Sequence, residues 1–206
     1  MRRKINKELQ EFLEFKKEYQ FNQRKLIIEN GEVYCEGQLV QNEEGIKIGE
    51  TENWINVGFN IKESFSKMLS NLYPYEFKFR GKKLNSIESF FQGIKFKDKE
   101  VQNYVFSYFG INAVYIKEAS DYDWKESGII YWQGKPINRF DKEYENLVDE
   151  LYISAIQNPL YRSVLLKCNK PIIHAIGKED KKDTTFTRYE FEFELNCLKD
   201  FLRRTN

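Results

Sequence analysis

The stretch that decides the fold runs from Asn85 to Phe96 and reads NSIESFFQGIKF. Ile87, Phe90, Phe91 and Ile94 repeat at i, i+3, i+4 and i+7, the spacing of a helix with one buried face. A helix turns about 100° per residue, so Glu88, Gln92 and Lys95 fall within roughly 60° of one another. Three hydrogen-bonding side chains in register beside an apolar stripe have two readings. In the first, Asn85 and Glu88 form an N-x-x-E capping box, Glu88 only closes the helix end, and Lys95 is solvated. In the second, the three line a polar site. The flanking stretches SNLYPYEFKF (70–79) and YWQGKPINR (131–139) support the second, because each sets polar groups among aromatics, as a pocket for a flat polar ligand does.

Working outward, the chain has 206 residues, 41% hydrophobic and 32% charged, which is enough for one good core. Tyrosine and phenylalanine number 13 and 17, a surplus that suits ring stacking as well as core packing. Thirty-three basic residues against 32 acidic ones leave a formal charge of +1, so no general field favours nucleic acid or membrane. No apolar run reaches the length of a membrane span, and the N-terminal MRRKINKELQEFLEFKKEY lacks a signal-peptide core. Cys35, Cys168 and Cys197 are odd in number and widely spaced, which points to a reducing, cytoplasmic setting. With one histidine, His174, there is no metal-ligand spacing. No glycine-rich nucleotide motif occurs. The expectation is no metal and no cofactor.

Residues 1–28 read as an amphipathic helix carrying Leu9, Phe12, Leu13 and Phe15. Asn30-Gly31 marks a hairpin. Residues 1–64 are therefore expected to form an N-terminal extension, a helix plus a small β element, set apart from a catalytic domain at 65–206 and from its chemistry. A second hairpin turns at Arg80-Gly81, before the 85–96 helix. A helix follows Asp98 and stops at Gly110, and a short helix covers 111–119. Residues 120–128 read as loop and the GIIYWQG stretch as extended. The best helical stripe runs from Asp141 to Gln157, and Asn158-Pro159 opens the next helix. YEFEFE alternates like a strand, but Phe191, Leu195, Leu198 and Leu202 keep helical spacing, with Thr187 and Glu190 as a capping box. The fold class is α+β, mainly helical, with short strands.

The segment Leu69–Phe96, with its Ser-Asn pair, strand, turn and Glu-x-x-x-Gln-x-x-Lys helix, resembles the signature of the NADAR (YbiA-like) family. Tyr131–Pro159 and Leu165–Phe191 look like that family's arginine-led helix and C-terminal segment. The resemblance covers about 65–203. It implies an N-glycosidase that removes ADP-ribose from a modified nucleobase, guanine in DNA or in a nucleotide, in an antitoxin-like role opposite a cognate ADP-ribosyltransferase toxin. The alternatives are phosphorylated ribosyl intermediates of riboflavin synthesis, a silent ADP-ribose-binding module, and a protein-interaction domain. The resemblance makes Glu88 catalytic, places Ser70, Asn71, Gln92 and Lys95 around the pocket, Lys82 in the turn before the helix, Arg139 at the start of the next helix, and Asp183 and Thr185 in the closing loop. Trp132 is the stacking candidate, because Phe140 and Tyr144 stand where the family has a tryptophan.

Chemically, a carboxylate suits C1 of a ribosyl C–N bond, where positive charge develops. A lysine, Lys95 or Lys82, offers a Schiff-base route. Arg139 suits a phosphate, or equally a surface ion pair with Asp141 or Glu143. His174, in PIIHAI, reads mainly as a satisfied core histidine. Trp124 and Trp132 are each read evenly as core or stacking surface.

Overall fold

The computed structural model describes residues 2–116 and 124–205. The chain opens with helix α1 (Arg2–Glu18), then strands β1 (Leu26–Glu29), β2 (Glu32–Cys35) and β3 (Gln38–Gln41). These strands form an antiparallel sheet in chain order. Asn30 and Gly31 have φ of 51° and 83°, the left-handed pair that a two-residue hairpin turn needs. Next come β4 (Ile55–Asn56), α2 (Ser64–Met68), the hairpin β5 (Phe77–Phe79) and β6 (Lys82–Leu84), and α3 (Ile87–Gly93). Helices α4 (Lys99–Phe106), α5 (Gly110–Ile116) and α6 (Trp124–Ser127) precede the hairpin β7 (Ile129–Trp132) and β8 (Lys135–Asn138). The chain closes with α7 (Lys142–Ala155), α8 (Pro159–Lys167), β9 (Ile172–Ile173) and α9 (Arg188–Thr205). This is a mixed α/β fold of helices around small sheets, as the periodicity predicts.

Local chemistry explains most boundaries. Asp98 accepts from the amides of Glu100 and Val101 and starts α4. Asn158 does the same for Leu160 and Tyr161, with Pro159 in the first helical turn. Thr187 and Glu190 close the reciprocal box that opens α9: Glu190 N donates to Thr187 Oγ1 at 3.2 Å and Thr187 N to Glu190 Oε2 at 2.8 Å. YEFEFE is thus helical, because a long window buries Phe191, Leu195, Leu198 and Leu202 on one face. Gly110 does not end a helix. It begins α5, where a Cβ would overlap the backbone of Leu72. Trp124–Ser127, read as loop, is helical. The end of the helix expected at 111–119 and the start of that loop lie in 117–123, outside the described residues.

Residues 1–64 carry the expected helix and small β element, but these pack into the rest of the fold and are not set apart from it. Phe12 is fully buried in the main core, against Phe201 at 5.4 Å between ring centroids. Strand β4 pairs in parallel with β9, Ile55 opposite Ile172 and Asn56 opposite Ile173. From α1, the Lys16 ammonium donates to Asp149 on α7 and, at 2.5 Å, to Glu194 on α9. Two buried carboxyls therefore share one cation. Burial raises the Glu194 carboxyl to about 8, against the pull of Lys16, and Asp149 beside it adds repulsion. For Lys16, burial opposes the charge, but Glu194 and Asp149 hold its pKa above the ordinary value.

Glu194 thus keeps its proton in the folded chain over a range where an unfolded carboxyl, with its ordinary value of 4.5, has lost it. Its contribution to stability falls as pH rises from about 4.5 towards 8. Glu194→Gln removes this titration, so its stability, followed by urea unfolding, is expected to fall less over that range than the wild type's. Parallel profiles would show that Glu194 does not titrate there. Lys16→Met strands the carboxyl pair, with an expected cost of roughly 3 kcal/mol.

Candidate active site

Helix α3 starts at Ser86, not at Asn85. Ser86 is extended at φ −160° and ψ 163°, and its hydroxyl accepts from Ser89 N at 3.1 Å. The Ser89 hydroxyl donates back to Ser86 O at 2.7 Å. The Asn85 amide instead donates to Ser107 O, across to the end of α4. The Asn85–Glu88 capping box is therefore corrected. The Asn85 backbone amide, which a capping box would pair with the Glu88 side chain, donates instead to Phe106 O at 3.0 Å, and the Glu88 amide donates to Asn71 O at 2.9 Å, so the Glu88 carboxylate works elsewhere.

That work is polar relay. Gln92 Nε2 donates to Glu88 Oε1 at 2.5 Å, and Lys95 Nζ donates to Gln92 Oε1 at 2.7 Å. The two bonds fix the Gln92 amide one way round, because its nitrogen must face the carboxylate and its oxygen the ammonium. Lys95 is joined to Glu88 through Gln92 and serves as a cationic donor. It lies beyond the last turn of α3, with Nζ 5.9 Å from the Trp124 ring centroid.

The relay lines a cavity of about 780 Å³. Of the candidates named from sequence, Ser70, Asn71, Glu88, Gln92, Lys95, Asp183 and Thr185 all reach this cavity. Asn71 is oriented by Tyr152 on α7, whose hydroxyl donates to Asn71 Oδ1 at 2.8 Å. The Thr185 carbonyl accepts from the buried Tyr144 hydroxyl, which pins the loop before α9.

Three candidates do not line the cavity. Lys82 sits in the β5–β6 hairpin, paired opposite Phe79. Trp132 is in the core, with Phe79, Phe106 and Phe90 at 4.9, 5.5 and 6.0 Å between centroids, so it has no face left for a ligand. Arg139 is fully buried and holds Glu190 in a two-pronged pair, at 3.1 and 2.5 Å, while its Nε donates to Thr184 O at 3.4 Å. It braces the start of α9 and does not wait for a phosphate; its expected ion pair with Asp141 or Glu143 is likewise replaced by Glu190. Burial alone would raise the Glu190 carboxyl, but Arg139 and Thr187 hold it below the ordinary range.

Sequence reasoning missed the wall formed by Val57, Gly58 and Phe59. No local motif marks it, since it reaches the cavity only through the β4–β9 pairing. Trp124 and His174, each weighed against a core role, both line the cavity. Burial pushes the His174 imidazole down to about 4, so the ring is neutral near pH 7. Among the described residues, no group of three or more histidine, cysteine, aspartate or glutamate side chains is placed to hold a metal ion. No helix among them is long and apolar enough to cross a membrane.

Comparison with known proteins gives the lineage. Residues 64–200 match the family model of Bacteriophage protein GP30.3. The chain is 31% identical over 137 residues to an uncharacterized 17.1 kDa protein in the Gp30-rIII intergenic region of Enterobacteria phage T4, covering 65% of this chain and 90% of the phage protein. No solved structure matches. The chain belongs to the GP30.3 family, and this overturns the NADAR resemblance, which the family comparison does not return. Short polar spacings such as Ser-Asn or Glu-x-x-x-Gln recur wherever helices are capped and i, i+4 pairs form, so they carry less lineage information than a match along 137 residues.

If Ser86 is the cap, Ser86→Ala should cost about 1 kcal/mol of stability. Glu88→Gln should change it by less than about 0.5 kcal/mol, as for a residue outside the cap. Equal losses in urea unfolding would restore the capping role of Glu88.

Proposed function

We propose that this GP30.3-family chain is an N-glycosidase that hydrolyses a ribosyl C–N bond, releasing ADP-ribose from a modified nucleobase such as guanine. The observation that carries the reading is the Glu88 carboxylate, oriented by Gln92 on the wall of a cavity that also holds Phe59, Trp124 and Phe186. Aromatic side chains suit a flat base, and Ser70, Asn71, Asp183 and Thr185 supply hydrogen-bonding groups for a sugar.

In this reading the C1–N bond breaks with its electron pair going to the base nitrogen. Positive charge develops at C1 and the ring oxygen. Glu88 stabilises that charge and takes a proton from the attacking water, whose oxygen becomes the new C1 hydroxyl. Glu88 then passes that proton on to the nitrogen of the departing base, which leaves neutral, and the carboxylate is regenerated. Lys95, donating to Gln92, serves as a positive charge that keeps the amide aimed at Glu88. A Schiff-base route through it would require losing the proton it donates, and Lys82 is outside the cavity. The water route therefore has the better support. Three free, buried cysteines support a reducing, cytoplasmic setting for the reaction.

The test is release of ADP-ribose from ADP-ribosylated guanine, presented as a nucleoside and in DNA. Glu88→Gln is expected to lower turnover by ~100-fold or more while affinity changes less than about tenfold. Borohydride added during turnover should leave no adduct on the protein. Unchanged turnover in Glu88→Gln, or no release by the wild type from either substrate, would sink the proposal.

A further inference from the structure

His174 is the chain's single histidine, and it is held in one orientation from several sides. Its Nδ1 lies 2.9 Å from Val57 O. A carbonyl can only accept, so Nδ1 carries the proton and Nε2 carries a lone pair. The backbone is fixed as well. His174 N donates to Glu192 Oε1 at 2.7 Å, and Val57 N donates to Ile173 O at 2.8 Å, extending the β4–β9 pairing up to the ring. Phe191 lies 4.6 Å away between ring centroids. On another side Gly177 makes room, since a Cβ there would come within 2.8 Å of His174 Cδ2.

What this clamp leaves over is Nε2. The ring lines the same cavity as Glu88, and among the described residues none hydrogen-bonds to Nε2, which is not closed off from solvent. It is a neutral acceptor open to the cavity, on a ring that cannot turn without breaking the bond to Val57. Asp183 adds a carboxylate on the same lining. Acceptors that cannot donate call for a ligand that donates, and near pH 7 a sugar hydroxyl does so without bringing charge.

We propose that His174 is a specificity-determining residue whose Nε2 accepts a hydrogen bond from a hydroxyl of the bound ribose. The inference rests on the reading that this cavity binds a ribosyl ligand. It adds that recognition of the sugar requires an uncharged acceptor at this position.

The single histidine makes the test unambiguous. In protein with ¹⁵N-labelled histidine, the free chain is expected to show a pyrrole-like Nδ1 and a pyridine-like Nε2 at pH 7. The reverse assignment overturns the proposal before any ligand is added. On saturation with ADP-ribose, the Nε2 resonance should move in the direction of an accepted hydrogen bond while Nδ1 stays in place. His174→Phe should weaken ADP-ribose binding by about tenfold, the scale of one lost hydrogen bond, and His174→Gln should recover part of it. Bound ADP-ribose with an unmoved Nε2, equal affinity in His174→Phe, or no binding of ADP-ribose at millimolar concentration would each overturn the inference. Binding with the Nε2 shift but no C–N cleavage of the modified guanine would uphold the sugar contact and reject the N-glycosidase reading. Cleavage at wild-type efficiency by His174→Phe would do the opposite.

Discussion

Six of the seven residues of α3 are buried, and the exception is Glu88. A helix of two turns has little stability of its own, so its existence depends on what encloses it. Phe90 meets Phe79 edge-on at 5.5 Å, Phe91 stacks on Phe186 at 4.9 Å, and Gly93 leaves the space that the Phe106 ring occupies. With the apolar side chains committed to packing, Glu88 is left on the cavity side together with Gln92. Ser86 caps the helix, and Asn71 satisfies the Glu88 amide from a separate loop. The burial that forms the helix therefore also aims the carboxylate.

The cavity opposite α3 is assembled from segments far apart in the chain. Two residues of β4 pair with two of β9, and this small parallel contact carries Val57, Gly58 and Phe59 to one wall and His174 to the adjoining one. The pairing is short, but it is backed by Asn56, whose side chain donates to Ile48 O at 3.1 Å and accepts from Ala175 N at 3.1 Å. On the far side, α1 is fastened by Lys16 to Asp149 and Glu194. Such a buried pair contributes little net stability over an apolar replacement but is costly to break. It locks α1 to α7 and α9 in one arrangement. Residues outside the matched family span thus complete both the core and the cavity.

The loop between β9 and α9 forms the remaining wall, and its position depends on Arg139, whose sequence context suits a phosphate or a surface ion pair, and on Tyr144. Arg139 stacks on Tyr144 at 4.5 Å, pairs with Glu190 and donates to the Thr184 carbonyl. Tyr144 donates to the Thr185 carbonyl. These interactions consume the arginine and the tyrosine hydroxyl, and in exchange they hold Thr184, Thr185 and Phe186 against the cavity. A charged residue next to a helix start reads alike whether its partner is a ligand or the following helix, and only the presence of Glu190 beside it decides.

The elements were legible in the sequence because their causes are local. Period 3.6 in 141–157, the Asn30-Gly31 and Arg80-Gly81 turns, Asn158-Pro159 and the Thr187–Glu190 box each act within a few residues and need no partner from elsewhere. The Glu88–Gln92–Lys95 face was legible for the same reason, since helical geometry alone puts those side chains on one side. What periodicity could not determine was which polar residues look inward and which look out. Ser86 outcompeted Asn85 as the cap because Asn85 found Ser107. Trp132 went into the core because Phe79, Phe90 and Phe106 surround it, while Trp124 took the cavity. Residues 1–64 joined the body of the fold through Phe12, Lys16 and β4, none of which carries a signal of its partner. Caps, turns and helical faces follow from the order of residues along the chain. The cavity, its walls and the lone pair on His174 arise where distant segments meet, and packing and hydrogen bonding across those meetings could be decided only by the tertiary structure.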